Sequence, residues 1–300
     1  MCTRMINGTI IKGVGGLYSV NSPQGVFSCK ARGIFRKDSF KPMIGDRVIL
    51  DEINFDEMTA VIDKIEPRRN YLIRPAVANV DRVVLVIASM APAPDLLLVD
   101  KMIAAARMKN IDVILVVNKI DQNSSYAEKI YRAYKSCTEG CILTCAEDGS
   151  GVDILSDFIS SGISVLAGQS GAGKSTLSKI ILGDTGLKTG ELSRKTERGR
   201  HTTRHSEMFK VKGFEDAYVI DSPGFSLFDL FGVESGELQM LYPEITSCDG
   251  SCRFMDCTHT GEPDCAVYEI VKNGVFDNGR YERYTALYKE LKEKERNKYK

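Results

Sequence analysis

Apolar and polar positions alternate in short runs through the first seventy residues, and then the rhythm changes. Ile6–Ile11, Leu17–Val20, Val26–Ala31, Arg47–Asp51 and Thr59–Ile65 read as strands. Gly13, Gly15, Gly16 and Gly45-Asp46 punctuate them. Five short strands fit a small all-β barrel of the OB type over residues 1–70. Glu66-Pro-Arg-Arg-Asn70 then reads as a linker. Beyond it Val80–Ala88 and Ile111–Val117 are near-continuous apolar runs, as strands buried on both faces require. Cys141–Ala146, Ile163–Ala167 and Ala217–Ile220 are further strands. Leu96–Met108, Tyr126–Tyr134, Val152–Ile159 and Lys174–Leu182 carry helical spacing between them. That alternation predicts an α/β core with a doubly wound sheet over residues 71–232. In the remainder, 233–300, cysteines cluster and the tail from Tyr281 reads as a highly charged amphipathic helix.

The chemistry of the α/β core is concentrated at strand ends. Gly168-Gln169-Ser170-Gly171-Ala172-Gly173-Lys174-Ser175 is a complete phosphate-binding loop between a strand and a helix, the context that motif needs. Gly171 and Gly173 let backbone N–H groups turn toward phosphate oxygens. Lys174 reaches the β and γ oxygens, and the Ser175 hydroxyl can hold Mg²⁺. The helix that carries Thr176 adds its dipole. Asn118-Lys119-Ile120-Asp121 follows another strand. A carboxylate at Asp121 accepts from guanine N1–H and N2–H₂, a donor pair adenine lacks. Asn118 can brace the loop, and the Lys119 stem can cover the ring. Thr144-Cys145-Ala146 ends the next strand, where its N–H groups can face guanine O6. Asp221-Ser-Pro-Gly224 ends a further strand, suiting a water-mediated Mg²⁺ contact from Asp221 and a γ-phosphate contact from Gly224.

The order of these motifs is unusual. Asn118 lies fifty residues before Gly168, whereas ordinary GTPases place the phosphate loop first. The chain therefore reads as a circularly permuted P-loop GTPase. Past Asp221 it runs into the C-terminal part, so the segment that senses γ-phosphate is also a tether.

Residues 188–212 are basic and poor in core positions, which suits a mobile first switch segment. Within it, Arg198-Gly-Arg-His201-Thr202-Thr203 offers Mg²⁺ a threonine, Thr202 or Thr203. The usual water-orienting glutamine is replaced by Phe225, so another group must orient water, and His201 is the candidate. A GTP-regulated RNA-binding module with incidental hydrolysis is the alternative.

Cys252-x₄-Cys257-x-His259-x₅-Cys265 supplies three thiolates and an imidazole, a closed tetrahedral set that suits structural zinc. Cys248 is an alternate ligand. Cys2, Cys29, Cys137, Cys141 and Cys145 read as core or incidental thiols in a reduced, cytoplasmic protein.

Charge alters little. With 40 basic and 40 acidic residues, any nucleic-acid contact must come from local patches. Lys30, Arg32, Arg36, Lys37, Lys41 and Arg47, interleaved with Phe35 and Phe40, form one on the barrel, which suits RNA, the alternative being a solvated basic edge. The tail from Arg280 to Lys300, with eight basic and four acidic residues, poses the same choice. No run of 18 apolar residues appears, so no membrane partner is expected, and no apolar stripe argues against a monomer.

Taken together, these segments resemble the RsgA/YjeQ family of circularly permuted GTPases. Gly8–Tyr18 and Ala31–Lys37 are similar to its OB domain, and Asn118–Asp121, Gly168–Ser175, Arg198–Thr203 and Asp221–Phe225 follow in its order. Cys252–Val267 is similar to its zinc segment. The resemblance implies GTP hydrolysis stimulated by the small ribosomal subunit, a role in late maturation of that subunit, and zinc on Cys252, Cys257, His259 and Cys265. It places the family's switch histidine on His201 and its apolar residue after Asp-x-x-Gly on Phe225. Ser222 stands where threonine is common.

Overall fold

The computed structural model describes residues 5–33, 35, 41–73, 75–183, 207–221, 233–248 and 252–298. In chain order the strands are β1 Ile6–Val14, β2 Leu17–Ser22, β3 Gly25–Ala31, β4 Arg47–Asn54, β5 Thr59–Ile65, β6 Tyr71–Leu72, β7 Val77–Ala78, β8 Arg82–Ala88, β9 Asp112–Asn118, β10 Gly140–Leu143, β11 Gly162–Gly168, β12 Met208–Lys210 and β13 Ala217–Asp221. The α-helices are α1 Leu96–Met108, α2 Ser124–Tyr134, α3 Val152–Phe158, α4 Lys174–Leu182, α5 Pro243–Thr246, α6 Ala266–Lys272 and α7 Asn278–Lys298. A 3₁₀ turn covers Ser235–Leu241. The chain divides into two compact units, the first made of Met1–Arg82, Val152–Ala167 and Lys174–Pro223, the second of Val83–Gly151, Gly168–Gly173 and Gly224–Lys300.

In the first unit, five strands close a barrel in the order β1-β2-β3-β5-β4, sealed by antiparallel pairing of β1 with β4 from Ile6↔Leu50 to Thr9↔Arg47. Strand alternation sends one face inward, and Ile10, Val20, Phe27, Leu50 and Ile62 fill the interior. The expected basic rim is partly spent. Arg32 reaches Asp51 at 2.9 Å and Asp63 at 2.8 Å, and Phe35 packs against the barrel core. Arg36, Lys37 and Phe40 lie outside the described residues.

The segment read as a linker is anchored. Asp46 is fully buried, and a buried carboxylate needs a partner. Arg68 supplies it at 2.7 Å. Asn70 exchanges two 2.9 Å hydrogen bonds with the backbone of Val80.

The same unit holds β11 and β13, parallel from Gly162↔Ala217 to Leu166↔Asp221, with β12 antiparallel to β13. Strand β12 falls inside the stretch 188–212 read as a mobile loop. Met208 is buried opposite Ile220, which gives residues 208–210 a ladder and a core contact. Residues 184–206 lie outside the described residues.

In the second unit β10, β9 and β8 are neighbours in that order, β10 running parallel to β9. Helix α1 begins where Asp95 caps the Leu98 N–H at 3.0 Å. Its Asp100 is fully buried. Arg280, on α7, bonds both Asp100 and Glu244, the latter at 2.8 Å, while Arg283 bonds the second oxygen of Asp100. The Arg280 guanidinium also lies 4.7 Å from the Tyr242 ring centre. Burial pushes the Asp100 carboxyl up, and the two arginines oppose that shift. Arg280, the first basic residue of the tail, is thus an interior ion-pair partner, which removes it from any RNA-facing surface, and Arg283 is partly buried against the same carboxylate. Removing one partner of a buried pair leaves charge uncompensated. Arg280→Met is expected to lower stability by about 3–5 kcal/mol, read as a lower urea midpoint. An unchanged midpoint would show that the pair is dispensable.

Candidate functional site

Asn118, the last residue of β9, is 1% exposed and ties three segments of the second unit together. Its Nδ2 donates to the Ala172 carbonyl at 2.9 Å. Its Oδ1 accepts from the Ala146 N–H at 3.0 Å and from Thr144 Oγ1 at 3.1 Å. The three motifs that sequence reading assigned to phosphate and guanine are therefore held by one amide. The spacing at the loop is tight. A Cβ on Gly173 would stand 2.1 Å from Asn118 Nδ2, and one on Gly168 would stand 2.0 Å from the Val86 carbonyl oxygen. Both glycines have positive φ, so the chain curls there and only hydrogen fits. The Ala172 N–H donates to Gln169 at 3.2 Å, closing the turn, and Ser170 and Gly171 are exposed at its crest.

In the first unit, Lys174 is the first residue of α4, and Ser175 and Thr176 follow it with exposed side chains. Such a loop-to-helix start presents N–H groups and the positive end of a helix dipole, an arrangement that holds phosphate.

The side expected to read the base is equally defined. Asp121 is exposed, with Cys145 Sγ 3.3 Å from its Oδ1. The strand expected over Cys141–Ala146 stops at Leu143, and Thr144–Ala146 instead forms a turn closed by a Cys145↔Ser150 bridge. Lys119 adopts a left-handed backbone, φ 61°, and its Nζ donates to the Ala91 carbonyl at 2.7 Å. The loop carrying Ala91 follows β8 and contains Ser89 and Pro92. Motif reading passed over it, because a buried serine at the end of an apolar strand carries no pattern of its own.

Asp221 ends β13, in parallel register with Leu166. His201, Thr202, Thr203, Gly224 and Phe225 fall outside the described residues.

The cysteine-histidine cluster assembles. One ligand atom from each of Cys252, Cys257, His259 and Cys265 lies within 4.8 Å of the others. His259 turns Nδ1 inward, 3.4 Å from Cys265 Sγ and 3.6 Å from Cys252 Sγ. Cys248 is not one of the four. Burial pushes the Cys257 thiol up to about 12 and raises Cys265 as well. A divalent cation reverses that penalty by stabilising thiolates, so the set fits a metal ion with a closed tetrahedral shell.

The chain is similar to proteins of one family. The model of the RsgA GTPase family matches residues 65–231, and that of the RsgA N-terminal domain matches residues 7–60. A small ribosomal subunit biogenesis GTPase RsgA from Ruminiclostridium cellulolyticum is 42% identical over 95% of this chain and 94% of its own length. One of the same name from Caldanaerobacter subterraneus subsp. tengcongensis is 39% identical over 98% and 99%. Among solved structures, YjeQ from Thermotoga maritima superposes with a TM-score of 0.80 at 30% identity, covering 96% of this chain and 99% of that one. YloQ, a circularly permuted GTPase, gives 0.79 at 30% identity over 97% and 96%.

Proposed function

The chain belongs to the RsgA GTPase family, and from that premise we propose that it hydrolyses GTP to GDP and phosphate in late maturation of the small ribosomal subunit, which stimulates its turnover. The observation that carries the nucleotide part is Asn118, whose one amide holds the Ala172 carbonyl of the phosphate loop and the Ala146 N–H of the base-reading turn. In this reading residues 1–70 meet rRNA, 71–232 bind and cleave the nucleotide, and 233–300 form a metal-stabilised module.

Guanine sits against Asn118, Lys119, Asp121, Cys145 and Ala146. The phosphates sit on Gly168–Thr176, with Lys174 on the β/γ oxygens and Gly224 on the γ-phosphate. Ser175, Thr202 or Thr203, and Asp221 through water would hold the Mg²⁺ that comes with the nucleotide, and the ion would supply neutralisation of phosphate charge. His201 orients the attacking water. Zinc on Cys252, Cys257, His259 and Cys265 is structural. The protein acts as a cytoplasmic monomer. No helix among the described residues is long and apolar enough to cross a membrane.

The test is GTP hydrolysis by the full chain, with and without purified small ribosomal subunits, using ATP and large subunits as controls. We expect at least about tenfold stimulation by small subunits alone, well below the roughly 10³–10⁵ that partner-supplied catalytic groups can reach, and its loss in His201→Ala with subunit binding retained. GTP binding without stimulation would instead favour the RNA-binding module with incidental hydrolysis.

A further inference from the structure

We propose that Ser89 is a positioning residue for guanine-nucleotide binding, holding Lys119 in the backbone conformation from which its side chain covers the base. This rests on the guanine assignment above. Lys119 is a non-glycine residue at φ 61°, a conformation that persists only where its surroundings impose it. Ser89 supplies the constraint from the end of β8. It is fully buried, its Oγ donates to the Lys119 carbonyl at 2.5 Å, and its N–H donates to the Asn118 carbonyl at 2.9 Å. One residue thus grips two successive carbonyls of the base-reading motif. The Gln122 N–H also donates to the Lys119 carbonyl, at 3.0 Å.

The loop that begins at Ser89 continues the grip. The Ala91 carbonyl accepts the Lys119 ammonium at 2.7 Å, and the Pro92 ring lies 3.5 Å from where a Gly171 Cβ would stand. The loop therefore touches both the base reader and the crest of the phosphate loop. Ser89 acts through Lys119 and not on the ligand, so its removal should loosen the base side and leave the phosphate side intact.

Titration calorimetry on the full chain tests this, with GTP, GDP and inorganic pyrophosphate as probes, each with Mg²⁺. Ser89→Ala is expected to weaken GTP and GDP by the same factor, about 5- to 20-fold, the scale of one lost buried hydrogen bond. Pyrophosphate affinity should not change. Ser89→Cys, nearly isosteric with a weaker donor, should fall between, and it carries the test if the alanine variant fails to fold. Unchanged GTP and GDP affinities would overturn the proposal. So would equal weakening of all three probes, which marks a merely structural role. A wild-type protein that binds pyrophosphate but not guanine nucleotides would overturn the guanine assignment itself.

Discussion

Asp121→Asn is expected to lower GTP affinity by about a thousandfold or more, and to bring in xanthosine triphosphate as the preferred nucleotide. The expectation comes from donor and acceptor counting. A carboxylate offers only acceptors and matches the two N–H groups on the guanine edge. The asparagine amide turns one acceptor into a donor and faces the guanine amino group donor to donor. Xanthine carries a carbonyl at that position and restores the match. Mismatched buried hydrogen bonds of this kind discriminate by about 10⁴–10⁵ where the site is rigid. Rigidity is what the surrounding contacts provide. Asn118 is held by Ala172, Ala146 and Thr144, and Cys145 Sγ lies 3.3 Å from Asp121 Oδ1, an oxygen the amide retains. Calorimetry with GTP and xanthosine triphosphate reads the outcome. Retention of wild-type GTP affinity would place base recognition elsewhere.

Removing the metal should unfold its module while the long helix persists. The proposed zinc binds through three thiols, and burial holds the metal-free Cys257 thiol protonated up to about 12. Binding therefore displaces protons. The sign follows: as pH falls, protons compete more strongly and the metal is lost, while rising pH favours the bound form. Structural zinc at neutral pH contributes on the order of 10 kcal/mol, more than a loop of this size otherwise holds. Besides the metal, the loop is held by Tyr284, whose hydroxyl donates to the Thr258 carbonyl at 2.7 Å, and by Glu262, which accepts from the Thr258 and Thr260 N–H groups. Helix α7 has its own anchor in Arg280, Asp100 and Glu244. Chelation at pH 6, or Cys265→Ala, is expected to release about one metal ion per chain. Hydrogen exchange should then rise across 252–272 with little change over 278–298. Metal-free protein as isolated, with exchange unaffected by added zinc, would count against the site.

The nucleotide motifs and the cysteine-histidine set are legible because each is a short local pattern whose chemistry needs those residue types at that spacing. Gly168–Ser175 and Asn118–Asp121 carry meaning in four to eight residues, and their inverted order alone implies the permutation. Strong periodicity marked Thr59–Ile65, Leu96–Met108 and Lys174–Leu182 at the bounds the fold adopts. Weak periodicity did not. The strand expected to reach Ala146 ends at Leu143: the Thr144 N–H still donates to the Val117 carbonyl of β9, but the Cys145 N–H turns to Ser150, and the Asn118 side chain takes the Ala146 N–H and the Thr144 hydroxyl.

Sequence by itself determined the barrel, the α/β alternation, the motif order and the cysteine-histidine set. Tertiary structure decided which charges and polar groups are interior. Arg280 finds Asp100 across 180 positions, Arg68 finds Asp46 across 22, and Ser89 finds Lys119 across 30. No window of sequence contains both partners of such a pair, and composition cannot tell a solvated arginine from a buried one. The difference is physical: a charge or a hydroxyl leaves water only where the fold supplies its partner, and that partner is chosen when distant segments close on one another.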